Sequence, residues 1–182
     1  MTYIPLAIAA LLIIWAIYTY NRLIVLRNRI DNAWHQIDVQ LRRRFDLIPN
    51  LVETVKGYAA HESGVFEKVT QARAAAEAAT TVGQQAAAQN MLTGALRGLL
   101  AVAENYPDLK ANQNFLALQE ELTSTEDKVA YSRQAYNDSV MLFNTLAQTF
   151  PASVIASMGG FARREYFEME DDAAREPVKI DF

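Results

Sequence analysis

The strongest constraint on this chain is an absence of charge. From Met1 to Asn21 no side chain is charged, and the centre of the run reads IPLAIAALLIIWAIYTY. In a helix rising about 1.5 Å per residue, twenty-odd such residues span roughly 30 Å, the thickness of a bilayer's hydrocarbon core. Trp15, Tyr18 and Tyr20 crowd the C-terminal end of the run, where interfacial aromatics belong. Arg22, Arg27 and Arg29 follow before the first acid, Asp31. A cleaved signal peptide carries its positive charges ahead of the apolar stretch, and a buried soluble helix is rarely apolar on every face. The pattern therefore predicts a transmembrane anchor over 1–21. By the positive-inside rule, a short N-terminus lies outside and the bulk of the chain in the cytoplasm, at the cell (inner) membrane.

The remainder reads as helix. Across 182 residues there are only 7 Gly and 5 Pro, and 51% of residues are hydrophobic, enough for one core. No Gly or Pro falls between Pro5 and Pro49, so the anchor is expected to continue into the next helix. Leu23, Leu26, Ile30, Ala33 or Trp34, Ile37 and Leu41 recur at three- and four-residue steps, as in a coiled-coil seam. Val52, Val55, Ala59, Glu62, Phe66 and Val69 suggest a second seam. A third helix is expected over about 84–105, with Met91, Leu92, Leu96, Leu99, Leu100 and Ala103 inward and Gly83 as the break before it. The clearest pattern is Phe115, Leu122, Val129, Tyr136, Phe143 and Phe150, seven apart, with Leu118, Thr125, Ser132, Ser139 and Leu146 as companions. It predicts a helix of about 35 to 40 residues, stopped by Pro151. The expected fold is all-α: a transmembrane helix continuing into an elongated antiparallel helical bundle over 22–150, then a tail over 151–182.

The stretch QLRRRFDLIPNLVE calls for its own explanation. Arg42, Arg43 and Arg44 suit the negative end of one helix. Asp46 suits the N-cap of the next, Pro49 its first turn, and Asn50 and Glu53 the turn after it. The motif reads as a hairpin corner and not as a catalytic turn.

Composition and motifs argue against several function classes. The net charge of −4 is unlike that of a nucleic-acid binder, and the chain has no Cys for thiolate chemistry or cysteine zinc sites. His35 and His61 lack the Glu-x-x-His spacing of di-iron bundles, and no phosphate loop, nucleophile elbow or zincin motif is present. No catalytic residue, metal ligand or cofactor is expected. Asn32, Gln36, Gln40, Arg44, Asn50 and Glu53 near the first seams, and Asp127, Arg133 and Asn137 on the long fourth helix, read as groups that, once buried, bond one another and set register, with a polar binding face as the alternative.

The blocks RNRIDNAWHQIDVQLRRRFDLIPNLVETVKGYAAHE and YPDLKANQNFLALQEELTSTEDKVAYSRQAYNDSVMLFNTLAQTFP, with the later REYFE, resemble the LemA family of bacterial membrane proteins. The resemblance runs over nearly the whole chain. It implies one N-terminal membrane helix and a cytoplasmic helical bundle, and one relative is associated with magnetosome membrane formation. It transfers no catalytic residue.

The tail breaks the heptads. Val154, Ile155, Met158 and Phe161 could share one short apolar face, ended by Gly159 and Gly160. Phe161, Tyr166 and Phe167 dock either on the protein's own bundle or on a partner, and VKIDF alternates like a strand. Two functions follow as expectations. One is a self-associating scaffold, a homo-oligomer on the lipid bilayer, that organises or shapes the membrane or its protein complexes. The other is a recruiting or sensing module that presents bundle and tail to a membrane protease or stress-response protein.

Overall fold

The computed structural model describes residues 3–168, and among them the only regular elements are helices. They are α1 (Tyr3–Lys56), α2 (Ser63–Ala78), α3 (Val82–Glu104), α4 (Pro107–Lys110), α5 (Gln113–Gln148) and α6 (Ala152–Met158). The alternating stretch VKIDF lies outside the described residues. The fold class expected from the sequence is the one observed.

The chain divides into two compact units. The first contains α1 up to Arg43, α5 from Thr125, α6 and the segment to Tyr166. Its seam follows the predicted spacing: Leu23, Leu26, Ile30, Ile37 and Leu41 are buried on α1, and of the two residues open at the middle position Ala33 is buried while Trp34 is half-buried. On α5, in the same unit, Val129, Ser132, Tyr136, Ser139 and Phe143 are also buried. A fully buried Leu or Ile contributes about 1.5–3 kcal/mol, so this stripe holds the pair together. Trp34 of α1 meets Tyr136 of α5, with ring centroids 5.5 Å apart. Nearer the N-terminus of α1, Tyr20 meets Phe161, which in turn lies on Phe143. Numbers fall along α1 as they rise along α5, so the two helices are antiparallel.

The second unit runs from Arg44 to Ser124 and includes Phe167. Its core gathers Ile48, Leu51 and Val55 from α1, Phe66, Val69 and Ala72 from α2, and Leu92, Leu96, Leu99 and Ala103 from α3. Leu109, Phe115 and Leu122 complete it. Buried alanines, Ala72 and Ala76 on α2 and Ala86 and Ala88 on α3, let α2 and α3 lie close together. Thr81 opens α3 through a capping box, accepting from the Gln84 amide while the Gln84 side chain accepts from the Thr81 amide. Asn112 opens α5 in a related way, its Oδ1 accepting from the amides of Asn114 and Phe115.

Several expectations need correction. The hairpin corner at Arg42, Arg43, Arg44, Asp46, Pro49, Asn50 and Glu53 is not a corner, because α1 passes through all seven residues and holds Pro49 inside it. Proline removes one helical donor, yet Ile48 and Leu51 on either side are about 1% exposed. Burial on both sides of Pro49 offsets the lost hydrogen bond. The reversal comes later, across Gly57–Glu62. Here the Gly57 and Ala59 amides still donate to the Glu53 and Val55 carbonyls, and Asn112 Nδ2 donates to the Tyr58 hydroxyl at 3.0 Å. The second seam is thus split between α1 and α2. Gly83 lies in the first turn of α3, and the break precedes it at 79–81. Met91, expected inward, is 57% exposed, and Phe150, expected in the α5 seam, is 79% exposed beyond the end of that helix. Pro151 does not itself stop α5, which ends at Gln148; it caps α6 instead.

Candidate functional site

The α1 surface changes character at one level. From Tyr3 to Ile14 every residue is exposed, including Ile4, Leu6, Ile8, Leu11, Leu12 and Ile13. Trp15 and Ala16 are half-buried, Ile17 and Tyr18 exposed, and Thr19 is the first buried residue. Beyond it the seam begins at Leu23. The first sixteen or so described residues therefore show apolar side chains on every face, the pattern of a helix that crosses a membrane. Among the described residues, α1 is the one single helix long and apolar enough to cross a membrane.

A clasp closes round α1 where the bare stretch ends. Phe161 stands edge-on to Tyr20 at 5.5 Å and to Phe143 at 6.3 Å, and the Arg27 guanidinium lies 5.7 Å from its ring centre. Such pairs are worth about 0.5–1.5 kcal/mol each beyond the area they bury. The turn that delivers Phe161 is a Schellman motif. The Phe161 amide donates to the Ala156 carbonyl and the Gly160 amide to the Ser157 carbonyl, with Gly160 at φ 68°. Gly159 fits because it has no side chain: a Cβ there would lie 2.6 Å from Phe161 Cε2 and 3.1 Å from Tyr20 Cε2.

The following segment is tied by backbone bonds. Asn144 donates to the Arg164 carbonyl and accepts from the Arg164 amide, each at 2.9 Å. The Tyr136 hydroxyl donates to the Glu165 carbonyl at 3.0 Å, and Arg164 reaches Asp31 at 3.7 Å. Burial pushes the Tyr136 phenol above its ordinary value; Glu165 and Asp31 push the same way, while Arg164 opposes them.

Of the expected membrane-interface residues, Trp15, Tyr18 and Tyr20 thus lie where the bare stretch gives way to the seam. Arg22 and Arg29 are exposed, and Arg27 is spent on the Phe161 ring. Of the tail aromatics, Phe161 is 9% exposed and Phe167 fully buried against the protein itself, while Tyr166 is half-buried. The apolar face expected from Val154, Ile155, Met158 and Phe161 is divided. Ala152, Ala156 and Phe161 turn inward, while Val154 and Met158 stay exposed.

In the second unit the most informative polar residue is Arg44, 1% exposed. It donates from Nη1 to Gln89 Oε1 at 3.1 Å and from Nη2 to the Thr93 hydroxyl at 2.9 Å. Gln89 is itself buried, so the pair ties α1 to α3 and fixes their register. Sequence reasoning placed Arg44 near a seam but had no signal for its partners, which are 45 and 49 residues away. Arg42 is exposed and pairs with Asp38 one turn back at 2.9 Å; Arg43, Asp46, Asn50 and Glu53 are also exposed. Arg73 lies over the Phe45 ring at 3.9 Å, beside an open groove of about 320 Å³ that Ile48, Pro49 and Val69 also line. A shallower groove of about 580 Å³ is lined by Asn50, Glu53, Thr54, Asn114, Ala117, Leu118 and Glu121. Among the described residues no group of three or more His, Cys, Asp or Glu is placed to hold a metal ion.

These features define an all-helical protein with one bare apolar helical segment clasped where its packed seam begins. The LemA family profile matches residues 33–182, and the chain belongs to that family. It is similar to the magnetosome protein MamQ 1 of Paramagnetospirillum magneticum, 24% identical over 185 aligned residues, covering 87% of this chain and 68% of that one. Magnetosome protein MamQ of Magnetospirillum gryphiswaldense is 25% identical, with the same coverage. Protein LemA of Metamycoplasma hominis is 27% identical over 137 residues, covering 75% of this chain and 63% of that one.

Proposed function

We propose that the protein is a membrane-anchored helical scaffold that self-associates and organises or shapes the bilayer or its protein complexes. The observation that carries this reading is the change on α1 at Thr19, from apolar on all sides to a one-sided seam, within a single unbroken helix. A soluble fold would leave Ile4 to Tyr18 facing water at high cost. Outside the seam, Val25 and Val39 on α1 and Tyr131 and Met141 on α5 remain exposed, giving a second copy apolar side chains to meet. The MamQ relatives are named as magnetosome proteins, which fits a task at a specialised membrane. Arg22 and Arg29 favour the cytoplasm for the folded units. Crosslinking at native abundance in intact membranes tests self-association, and a strictly monomeric protein would reject the scaffold. A C-terminal reporter read from both sides of the membrane tests orientation.

A second reading, a recruiting or sensing module for a membrane-protein partner, is favoured by the groove at Asn50, Glu53 and Glu121. Charge reversal at Glu53 should then change the proteins captured with the full chain, whereas the scaffold reading expects the same set.

A further inference from the structure

From the corner that joins α5 to α6, we infer a second contact with the bilayer: α6 lies in the plane of the membrane surface and embeds one face at the boundary between headgroups and acyl chains. The inference rests on the anchoring read above. Three observations carry it. The first is level. Phe161 and Gly159, which end α6, sit against Tyr20, at the place where the bare apolar stretch of α1 finishes. The second is direction. α6 is bent by 97° from α5, and α5 runs antiparallel to α1 here, so a span crossing the bilayer leaves α6 parallel to its surface.

The third is the face. Ala152 and Ala156 are buried, while Val154 and Met158 are 51% and 82% exposed and Ile155 is half-buried. At 100° per residue, Pro151, Val154, Ile155 and Met158 form one stripe centred about 130° from the two alanines, with Val154 opposite them and Ile155 at its edge. Just before it Phe150 is 79% exposed. A short helix with small residues toward its own protein and large apolar residues away from it is the pattern of an interfacial helix. The occupant is lipid, because α6 ends against Tyr20, where the bare surface of α1 finishes. The flanking charges also suit headgroups: Arg22 follows Tyr20, Arg163 follows Phe161, and both are exposed.

The chain has no Cys, so single probes can be placed without background. The full-length protein would carry Val154→Cys, Met158→Cys, Leu12→Cys or Tyr131→Cys, each labelled with an environment-sensitive fluorophore. Each would be reconstituted in vesicles of phosphatidylethanolamine and phosphatidylglycerol. Quenching lipids carry a spin label either near the headgroup or deep in the acyl chain. Probes at 154 and 158 should be quenched about twofold more by the shallow label than by the deep one. The probe at 12 should prefer the deep label, and the probe at 131, on exposed α5 surface, should respond to neither. If 154 and 158 behave like 131 while 12 is quenched, the α6 contact is overturned and the anchor stands. If 12 is also unquenched, the anchor fails and α6 with it. A blue shift at 154 and 158 without quenching, growing with protein density, would place a second copy on this face and overturn the lipid contact.

Discussion

The side-chain amide of Asn144 pairs with both backbone groups of Arg164, donating to its carbonyl and accepting from its N–H, each at 2.9 Å. Asn144 is 4% exposed, so neither bond is easily replaced by water. An aspartate keeps the acceptor but sets a carboxylate oxygen against the Arg164 carbonyl. Asn144→Asp is therefore expected to lose about 1–3 kcal/mol and to expose the 161–165 segment to protease. Chemical denaturation of the detergent-solubilised full chain, with limited proteolysis, reads both effects. Asn144→Ala should release the segment as well.

Gly159 and Gly160 fail differently when substituted. Gly159→Ala drives a methyl into the gap between Phe161 and Tyr20, so the ring must move and about 1–3 kcal/mol is lost. Gly160→Ala meets no neighbour but strains a backbone at φ 68°, costing about 1 kcal/mol. Phe161→Ala should rescue Gly159→Ala relative to the sum of the single effects, and should not rescue Gly160→Ala. A double-mutant cycle on thermal stability separates the cases.

Arg44→Ala leaves a cavity and strips Gln89 of its donor, with an expected loss of about 2–4 kcal/mol. Arg44→Lys keeps the charge but lacks the planar fork that reaches Gln89 and Thr93 together, so it should recover less than half of that. Comparable stability of the lysine and wild-type chains would mean that the two bonds do not set the register.

Tyr136 gives a pH signature. Its folded pKa is raised above the model-peptide value of 10.0, chiefly by burial. In the unfolded chain the phenol loses its proton first as pH climbs, so the unfolded state binds fewer protons and stability falls. The effect is absent at neutral pH and sets in above about pH 10. Tyr136→Phe should cost about 0.5–1.5 kcal/mol at neutral pH, for the lost bond to Glu165, and should flatten the alkaline decline. Parallel urea titrations of the two chains at neutral and alkaline pH check the sign.

Periodicity revealed most of the helices. Phe115, Leu122, Val129, Tyr136 and Phe143 are all buried, because a seven-residue repeat leaves a long helix one face to cover. The α1 stripe from Leu23 to Leu41 was legible for the same reason. Pro49 misled because a proline reads as a boundary unless the burial around it is known. Thr81 and Gln84 did carry a capping-box signal in the sequence, three residues apart, that would have placed the start of α3. Arg44 was legible as a register-setting group near a seam, but its partners Gln89 and Thr93 were not, since no local pattern links residues so far apart in the chain. α6 misled most. By hydropathy its large residues belong inward, but two alanines pack there and Val154 and Met158 stay exposed. Sequence shows that a face is apolar; only the packed chain shows which faces are already covered.

The unbroken passage of α1 through Thr19 has a mechanical consequence. There is no glycine or proline between Leu6 and Ile48 to act as a swivel. On the anchoring proposed above, a bilayer that thins or thickens around the helix would be met by tilting it whole or by deforming the lipid, since no joint can absorb the mismatch. Any such tilt would also move the Leu23–Leu41 stripe and the α5 helix gripped against it, carrying the thickness of the surrounding lipid into the packed seam.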